Sequence, residues 1–309
     1  MPADRPPHDG AATPYGEIVA RTPVDATTLD VRGTRTRVWR YGAAEPRATL
    51  LFLHGLRGEH HGLEPIVAYL VAADPSLRVL VPDLPGFGAT PVLPHDTHDV
   101  AGYAGWTREL LDLAGGDVGA DVVLAGHSFG SIVAAATVAG DAAGIGALVL
   151  VSPIAAAPLR GPRAAMRRLT SIYHRVAGAV PAAAGEAMLR NRLVTWIATV
   201  AMTTTTDPEL RNWIHAEHGR YFAGFAGRDS LLEAFTASVS HTVTGYAPEV
   251  KVPTLLVAGE LDTLAPPAAQ RALRPLFPDA RLVMLPGTGH LAHYEQPAVV
   301  AAAIAAEIQ

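Results

Sequence analysis

In the stretch "LAGHSFGS", residues 124–131, Ser128 sits between Gly126 and Gly130. A serine placed where a strand gives way to a helix can project its hydroxyl only if the chain turns sharply, and such a turn needs small residues two positions before and two after. Taken alone, the pattern also fits a serine in an ordinary glycine-rich turn. Partners separate the two readings. A hydroxyl attacks only once a base has taken its proton, and an imidazole base needs a carboxylate to hold its tautomer. Among 13 histidines, His290 closes "PGTGH" (286–290) just after an apolar run, and Asp262 closes "VAGELD" (257–262) one run earlier. The expected order of nucleophile, acid and base is therefore Ser128, Asp262, His290. His293 is the rival base, but it would lie inside the helix that His290 precedes. Glu260 is the rival acid. The stretch after the preceding run reads "SPIAAAP" (152–158) and offers no carboxylate, which favours Asp262. Asp83, in "DLPGFG" (83–88), is read as ordering its own loop. With no cysteine in the chain, a thiolate nucleophile, a disulfide and a Cys-ligated metal are all excluded.

These residues need a scaffold that brings distant segments to one edge. Short Val-, Leu- and Ile-rich runs at 48–55, 77–86, 121–128, 146–153, 252–262 and 280–290 read as buried parallel strands. Helix candidates lie near 62–73, 99–114, 129–140, 266–275 and 291–308, so the pattern is strand, crossover helix, strand. Residues 17–41 alternate in the manner of an antiparallel hairpin at a sheet edge. In open α/β sheets ligands collect beyond the C-terminal ends of the strands, and each candidate residue above follows such an end. The alternation lapses between about 154 and 247, a helical stretch holding Trp196, Trp213, Tyr221, Phe222 and Phe225. Strand signals resume after it and need a common sheet, so it reads as an insertion between core strands rather than a terminal domain. The expected division is a disordered tail at 1–16, a core at 17–153 and 248–309, and a helical cap at 154–247.

Five segments together, His54-Gly55, "DLPGFG", "GHSFG" (126–130), "GELD" (259–262) and "GTGH" (287–290), resemble the α/β-hydrolase-fold superfamily, in particular its capped serine hydrolases. The resemblance covers about 17–153 and 248–309, and the insertion matches the family's cap. It implies a mostly parallel central sheet flanked by helices, and an oxyanion hole made by the backbone N–H groups of Leu56 and Phe129. Two departures stand out. Ser131 occupies a position where many members carry a further glycine, and "LRGEHHG" (56–62) lacks the glycine run of "HGGG"-type lipases, which favours the branch with small substrates. A serine at 128 argues against epoxide hydrolases and haloalkane dehalogenases, which attack through a carboxylate. The activity implied is hydrolysis of an ester or related acyl bond through an acyl-enzyme. The alternatives are a biosynthetic tailoring enzyme, thioesterase- or cyclase-like, and a carbon–carbon bond hydrolase using the same three residues.

The aromatic residues of the insertion predict a mainly apolar pocket, with His54, His127, Trp196, Trp213 and Tyr221 as candidate substrate contacts. The pairs His60/His61 and His215/His218 come without a convincing set of further ligands, so no metal and no cofactor is expected. Net charge −5 gives no general attraction for nucleic acid or anionic lipid. Arg160, Arg163, Arg167 and Arg168 open the insertion, read as a solvated helix face in preference to a dock for an anionic carrier or membrane surface. The first residues carry acids, prolines and glycines where a secretory signal needs an apolar run, so none is expected there, and no window holds 18 uninterrupted apolar residues. The expected partner is a small-molecule substrate; nucleic acid is not expected, a homodimer is allowed, carrier-protein docking ranks low, and the expected location is cytoplasmic.

Overall fold

The computed structural model describes residues 13–115, 122–155 and 162–308. A short helix, α1 (Gly16–Arg21), leads into a hairpin of β1 (Val24–Val31) and β2 (Thr34–Gly42). Arg32 and Gly33, at φ 52° and 74°, form the two-residue turn whose twist matches paired strands. Strands and helices then alternate through β3 (Ala48–Leu53), α2 (Glu64–Ala73), β4 (Leu77–Pro82), α3 (Val100–Gly115), β5 (Val122–His127), α4 (Phe129–Gly140) and β6 (Ile145–Val151). Five helices follow: α5 (Pro162–Ala179), α6 (Ala182–Leu189), α7 (Arg192–Met202), α8 (Pro208–Tyr221) and α9 (Arg228–Ser240). The alternation resumes with β7 (Thr254–Gly259), α10 (Pro267–Leu273), β8 (Ala280–Leu285), α11 (Ala292–Glu295) and α12 (Pro297–Ala305).

All eight strands form one sheet in the order β1-β2-β4-β3-β5-β6-β7-β8. The hairpin strands pair antiparallel with each other, β2 pairs antiparallel with β4, and the remaining pairs are parallel. Because β6 and β7 are neighbours, the helices described between them are an excursion from one sheet. Both faces of the sheet are covered, which is why the strands read as continuous apolar runs instead of alternating. Along β3, Leu50 and Phe52 pack with Ile66, Val67 and Leu70 of α2 and with Val300 and Ile304 of α12. Leu51 and Leu53 point the other way, toward Tyr103, Trp106 and Leu110 of α3 and Ile132 and Val133 of α4. Each such side chain, wholly buried, contributes about 1.5–3 kcal/mol.

The order places β4 on one side of β3 and β5 on the other. The chain therefore reverses its direction of travel across the sheet between β3 and β5, and a crevice opens beyond their C-terminal ends. Residues 54–57 leave β3 there, and Ser128 leaves β5.

Local structure departs from expectation at the chain ends. The tail expected over 1–16 lies outside the described residues as far as position 12, and α1 precedes the hairpin. The single helix expected over 291–308 is two, because Pro297 forces Gln296 out of helical geometry, to φ −142° and ψ 53°. Of the arginine run, Arg160 lies outside the described residues, and Arg168 is exposed on α5.

Candidate active site

Ser128 joins β5 to α4 in a backbone conformation that side chains rarely adopt, φ 53° and ψ −115°. Such geometry costs on the order of 1–3 kcal/mol, and the packing around it holds the residue in place. A Cβ at Gly126 would lie 2.2 Å from the Gly130 carbonyl oxygen, and one at Gly130 would lie 2.4 Å from that of Leu53. Neither position tolerates a side chain without moving backbone, so the two glycines are what the turn requires. The Ser128 N–H donates to the Val151 carbonyl at 3.1 Å, fixing the turn to β6. Ser131 adds a second tie. Its hydroxyl donates to the Ser128 carbonyl and accepts the Ile154 N–H at 3.3 Å.

Ser128 Oγ and His290 Nε2 are 2.8 Å apart, and His290 Nδ1 lies 2.8 Å from Asp262 Oδ2. The three residues come from the loops after β5, β7 and β8 and lie 162 and 28 positions apart along the chain. His290 and Asp262 are almost wholly buried, at 3% and 1% exposure, whereas Ser128 keeps an open side. Burial alone would push the Asp262 carboxyl up, but the facing His290 and the N–H groups of Ala265 and Leu264 outweigh it and hold the carboxyl below its ordinary value. Asp262 is thus an anion that can only accept. Nδ1 of His290 must then carry the proton, which leaves Nε2 to accept the Ser128 hydroxyl proton. Glu260, the rival acid, is exposed. His293, the rival base, is buried, with Nδ1 lacking a partner among the described residues, and its ring centroid lies 4.1 Å from that of His127.

The loop after β3 is anchored by imidazole. His54 Nδ1 donates to the Gly55 carbonyl at 2.8 Å, and Nε2 accepts the Leu84 N–H at 2.9 Å, tying the exits of β3 and β4 together. Burial lowers the affinity of His54 for a second proton, consistent with this neutral bridging form. Asp83 orders its own loop as expected, accepting the N–H of Ala89 and His60 at 2.8 Å each. Gly55 comes so close to the elbow that a Cβ there would stand 3.2 Å from the Ser128 Cβ. The N–H of Leu56, the next residue, and that of Phe129, first in α4, have no acceptor among the described residues.

Several residues of this region carry no sequence signal. Arg57 is buried, donating to the carbonyls of Phe222 at 2.9 Å and Leu189 at 2.6 Å, so it fastens the β3 loop to the inserted helices. Burial brings its guanidinium down to about 10. Glu295 accepts the Gly289 N–H at 2.7 Å through one oxygen, and the N–H groups of Thr204 (2.6 Å) and Thr205 (3.0 Å) through the other. It thus couples the residue before His290 to the segment between α7 and α8. One acid in "HLAHYEQP" (290–297) could not be singled out from spacing alone, because its partners are backbone groups.

The five candidate substrate contacts separate. His127 lies against the candidate base, its ring centroid 5.6 Å from that of His290. His54 is engaged in the bridge above. Trp213 is enclosed edge-on by Tyr15 and Tyr294 at 5.2 and 5.0 Å, Tyr221 stacks on His61 at 4.4 Å, and Trp196 is 55% exposed. His60 and His61, with Glu59, bring ligand atoms within 4.8 Å of one another. Their Nδ1 atoms are held by Asp83 and Glu59, and His60 also stacks on Trp39. His218, paired with His215 in the other candidate couple, uses Nδ1 on Thr199 Oγ1 at 2.9 Å.

Residues 50–303 match the model of the family described as "Alpha/beta hydrolase family". Over 86 residues the chain is 38% identical to the polyketide synthase ThaQ of Burkholderia thailandensis, covering 24% of this chain and 4% of ThaQ. Over 93 residues it is 32% identical to RutD of Pseudomonas savastanoi pv. phaseolicola, provisionally named a carbamate hydrolase, covering 28% of this chain and 36% of RutD. The matches therefore span only small parts of these curated relatives. The esterase EaEST from Exiguobacterium antarcticum superposes with a TM-score of 0.73 at 16% identity, over 92% of this chain and 99% of that one, a likeness of fold.

Proposed function

From the chain's membership of the alpha/beta hydrolase family, we propose that it is a serine hydrolase in which Ser128 is the nucleophile, His290 the general base and acid, and Asp262 the carboxylate behind it. The relay at 2.8 Å on both sides of His290, built on the elbow at Ser128, is the observation that carries this reading. Ser128 Oγ attacks an acyl carbonyl while its proton passes to His290 Nε2, and the Asp262 anion stabilises the imidazolium that forms. The N–H groups of Leu56 and Phe129 donate to the oxyanion. Each such donor contributes about 2.7–4 kcal/mol at the transition state. Collapse expels the alcohol, which takes its proton from His290 and leaves an acyl-Ser128. Water then attacks, giving a proton to His290, and the acid is released as Ser128 regains it.

Residues 154–247 act as the cap over this site, and the substrate is small and mainly apolar. Arg57 and Glu295 support that placement, because they bond the inserted helices to the loops carrying Leu56 and His290. A fluorophosphonate probe labels the wild type and fails to label Ser128→Ala. Absence of labelling in the wild type, or equal labelling of both, overturns the assignment of the nucleophile. A second reading, release or cyclisation of an acyl chain held as a carrier thioester, is favoured by the similarity to part of a polyketide synthase. A carrier-bound acyl thioester turned over orders of magnitude faster than a p-nitrophenyl ester of the same chain would select it.

A further inference from the structure

Helix α7 is turned against the ordinary rule for a helix in water. It buries Thr195 and Thr199, and it exposes Leu193, Trp196, Ile197 and Val200, at 62, 55, 50 and 47%. Those four follow the i, i+3, i+4, i+7 spacing of a single face. The buried threonines are poorly suited to the interior: Thr199 reaches the Thr195 carbonyl and His218, but Thr195 Oγ1 has no partner among the described residues. Helix α5 repeats the arrangement. It buries His174, stacked on Phe235 at 3.5 Å, and exposes Leu169, Ile172 and Val176 at 62, 43 and 45%. Seven of the thirteen exposed large apolar side chains among the described residues thus lie on these two helices.

Charge adds a second, independent observation. Between positions 156 and 206 the sequence carries seven arginines (160, 163, 167, 168, 175, 190 and 192) against the single acid Glu186, in a chain whose net charge is −5. Arg168, Arg175 and Arg192 are exposed on the same two helices as the apolar rows.

We propose that the outward apolar and basic faces of the inserted helices α5 and α7 are each a peripheral docking element for an anionic lipid interface. A basic amphipathic helix with an aliphatic and tryptophan face lies in such an interface, its apolar side in the acyl region and its arginines among anionic headgroups. The attachment is peripheral, since no described helix is long and apolar enough to cross a membrane. A second copy of the chain is the poorer occupant, because a two-fold contact through either helix would set its exposed arginines against their own copies. An acidic carrier protein answers the charge but offers less apolar area for two exposed rows. The segment after α7 carries Thr204, which abuts Gly289 and bonds Glu295, so the docking face lies close in sequence to the support of His290.

The test is cosedimentation of the full chain with phosphatidylcholine vesicles and with vesicles also containing phosphatidylglycerol. Binding is expected only to the second, weakening at high salt, and equally for Ser128→Ala, so the outcome is independent of the hydrolase reading. Leu193→Ser with Ile197→Ser lowers partition at least tenfold, and Arg168→Glu with Arg175→Glu lowers it roughly fivefold or more per arginine. Both pairs keep the wild-type melting curve and the turnover of a soluble short-chain ester. No binding to the mixed vesicles at low salt, or undiminished binding by both pairs, overturns the proposal. So does the absence of vesicle binding together with a dimer, or a complex with an acidic acyl carrier protein, that the serine pair dissociates.

Discussion

At the scale of single residues, the proposed relay turns on Asp262. Its carboxylate is buried, and it accepts from Leu264 and Ala265 through one oxygen while the other faces His290. An amide in its place fills the same volume but can present an N–H to Nδ1, which forces the proton onto Nε2 and removes the acceptor that Ser128 needs. Asp262→Asn is expected to lower kcat by about 10⁴-fold, and Glu260→Gln, at an exposed position, to leave it unchanged. Hydrolysis of p-nitrophenyl acetate measures both, and an Asp262→Asn rate within about tenfold of wild type would mean the carboxylate does not set the tautomer. The residues of the proposed triad could be picked out of the sequence because each follows the end of an apolar strand, where residue type and order carry the information. Ser131 was legible only as a departure. Its hydroxyl bond to Ile154 depends on the path taken after β6, and a linear pattern does not record that path.

At the scale of elements, the starts of the parallel strands were readable to within two residues, since burial on both faces makes them unbroken apolar runs, whereas the runs 77–86, 252–262 and 280–290 reach three to five residues past the strand ends into the loops. Two features escaped. The helix expected over 291–308 breaks at Gln296, and the break turns Glu295 toward Gly289 and the 204–205 segment. The clamp this creates was invisible, because it consists of one carboxylate and three backbone N–H groups. Its removal in Glu295→Ala leaves those donors without their acceptor and is expected to cost about 1.5–3 kcal/mol. The loss should also appear in kcat/KM, since the loop carrying His290 is released with it. Glu295→Gln keeps one carbonyl oxygen and should fall between the two. Thermal melting and ester hydrolysis followed together check this. Unchanged values for Glu295→Ala would show that the inserted helices and the His290 loop are held together by packing alone.

At the scale of the whole molecule, the site is backed by imidazoles kept neutral by burial. Burial, reinforced by His290, brings His127 down to about 3, and burial with nearby His215 brings His218 down to about 4. His293 is also driven well below its ordinary value, first by burial and then by His127 and His218. In the unfolded chain each group regains a value near 6.5 and binds a proton as the pH falls below it. The unfolded state then holds more protons than the folded one, so stability rises with pH across this window and is lost on acidification. The slope is about 1.4 kcal/mol per pH unit for each group that is fully protonated only when unfolded. His61 acts with the opposite sign: its raised value stabilises the fold below about 6.5 and loses that contribution as the pH climbs through the raised value. Below 6.5 the His61 contribution is constant, so it cannot offset the others. The melting temperature is therefore expected to fall steadily from pH 6.5 toward pH 4, before the buried carboxylates of Asp83 and Asp262 titrate. A melting temperature that stays level across that range would mean these imidazoles accept protons in the folded chain, and that the interior behind His290 is open to water.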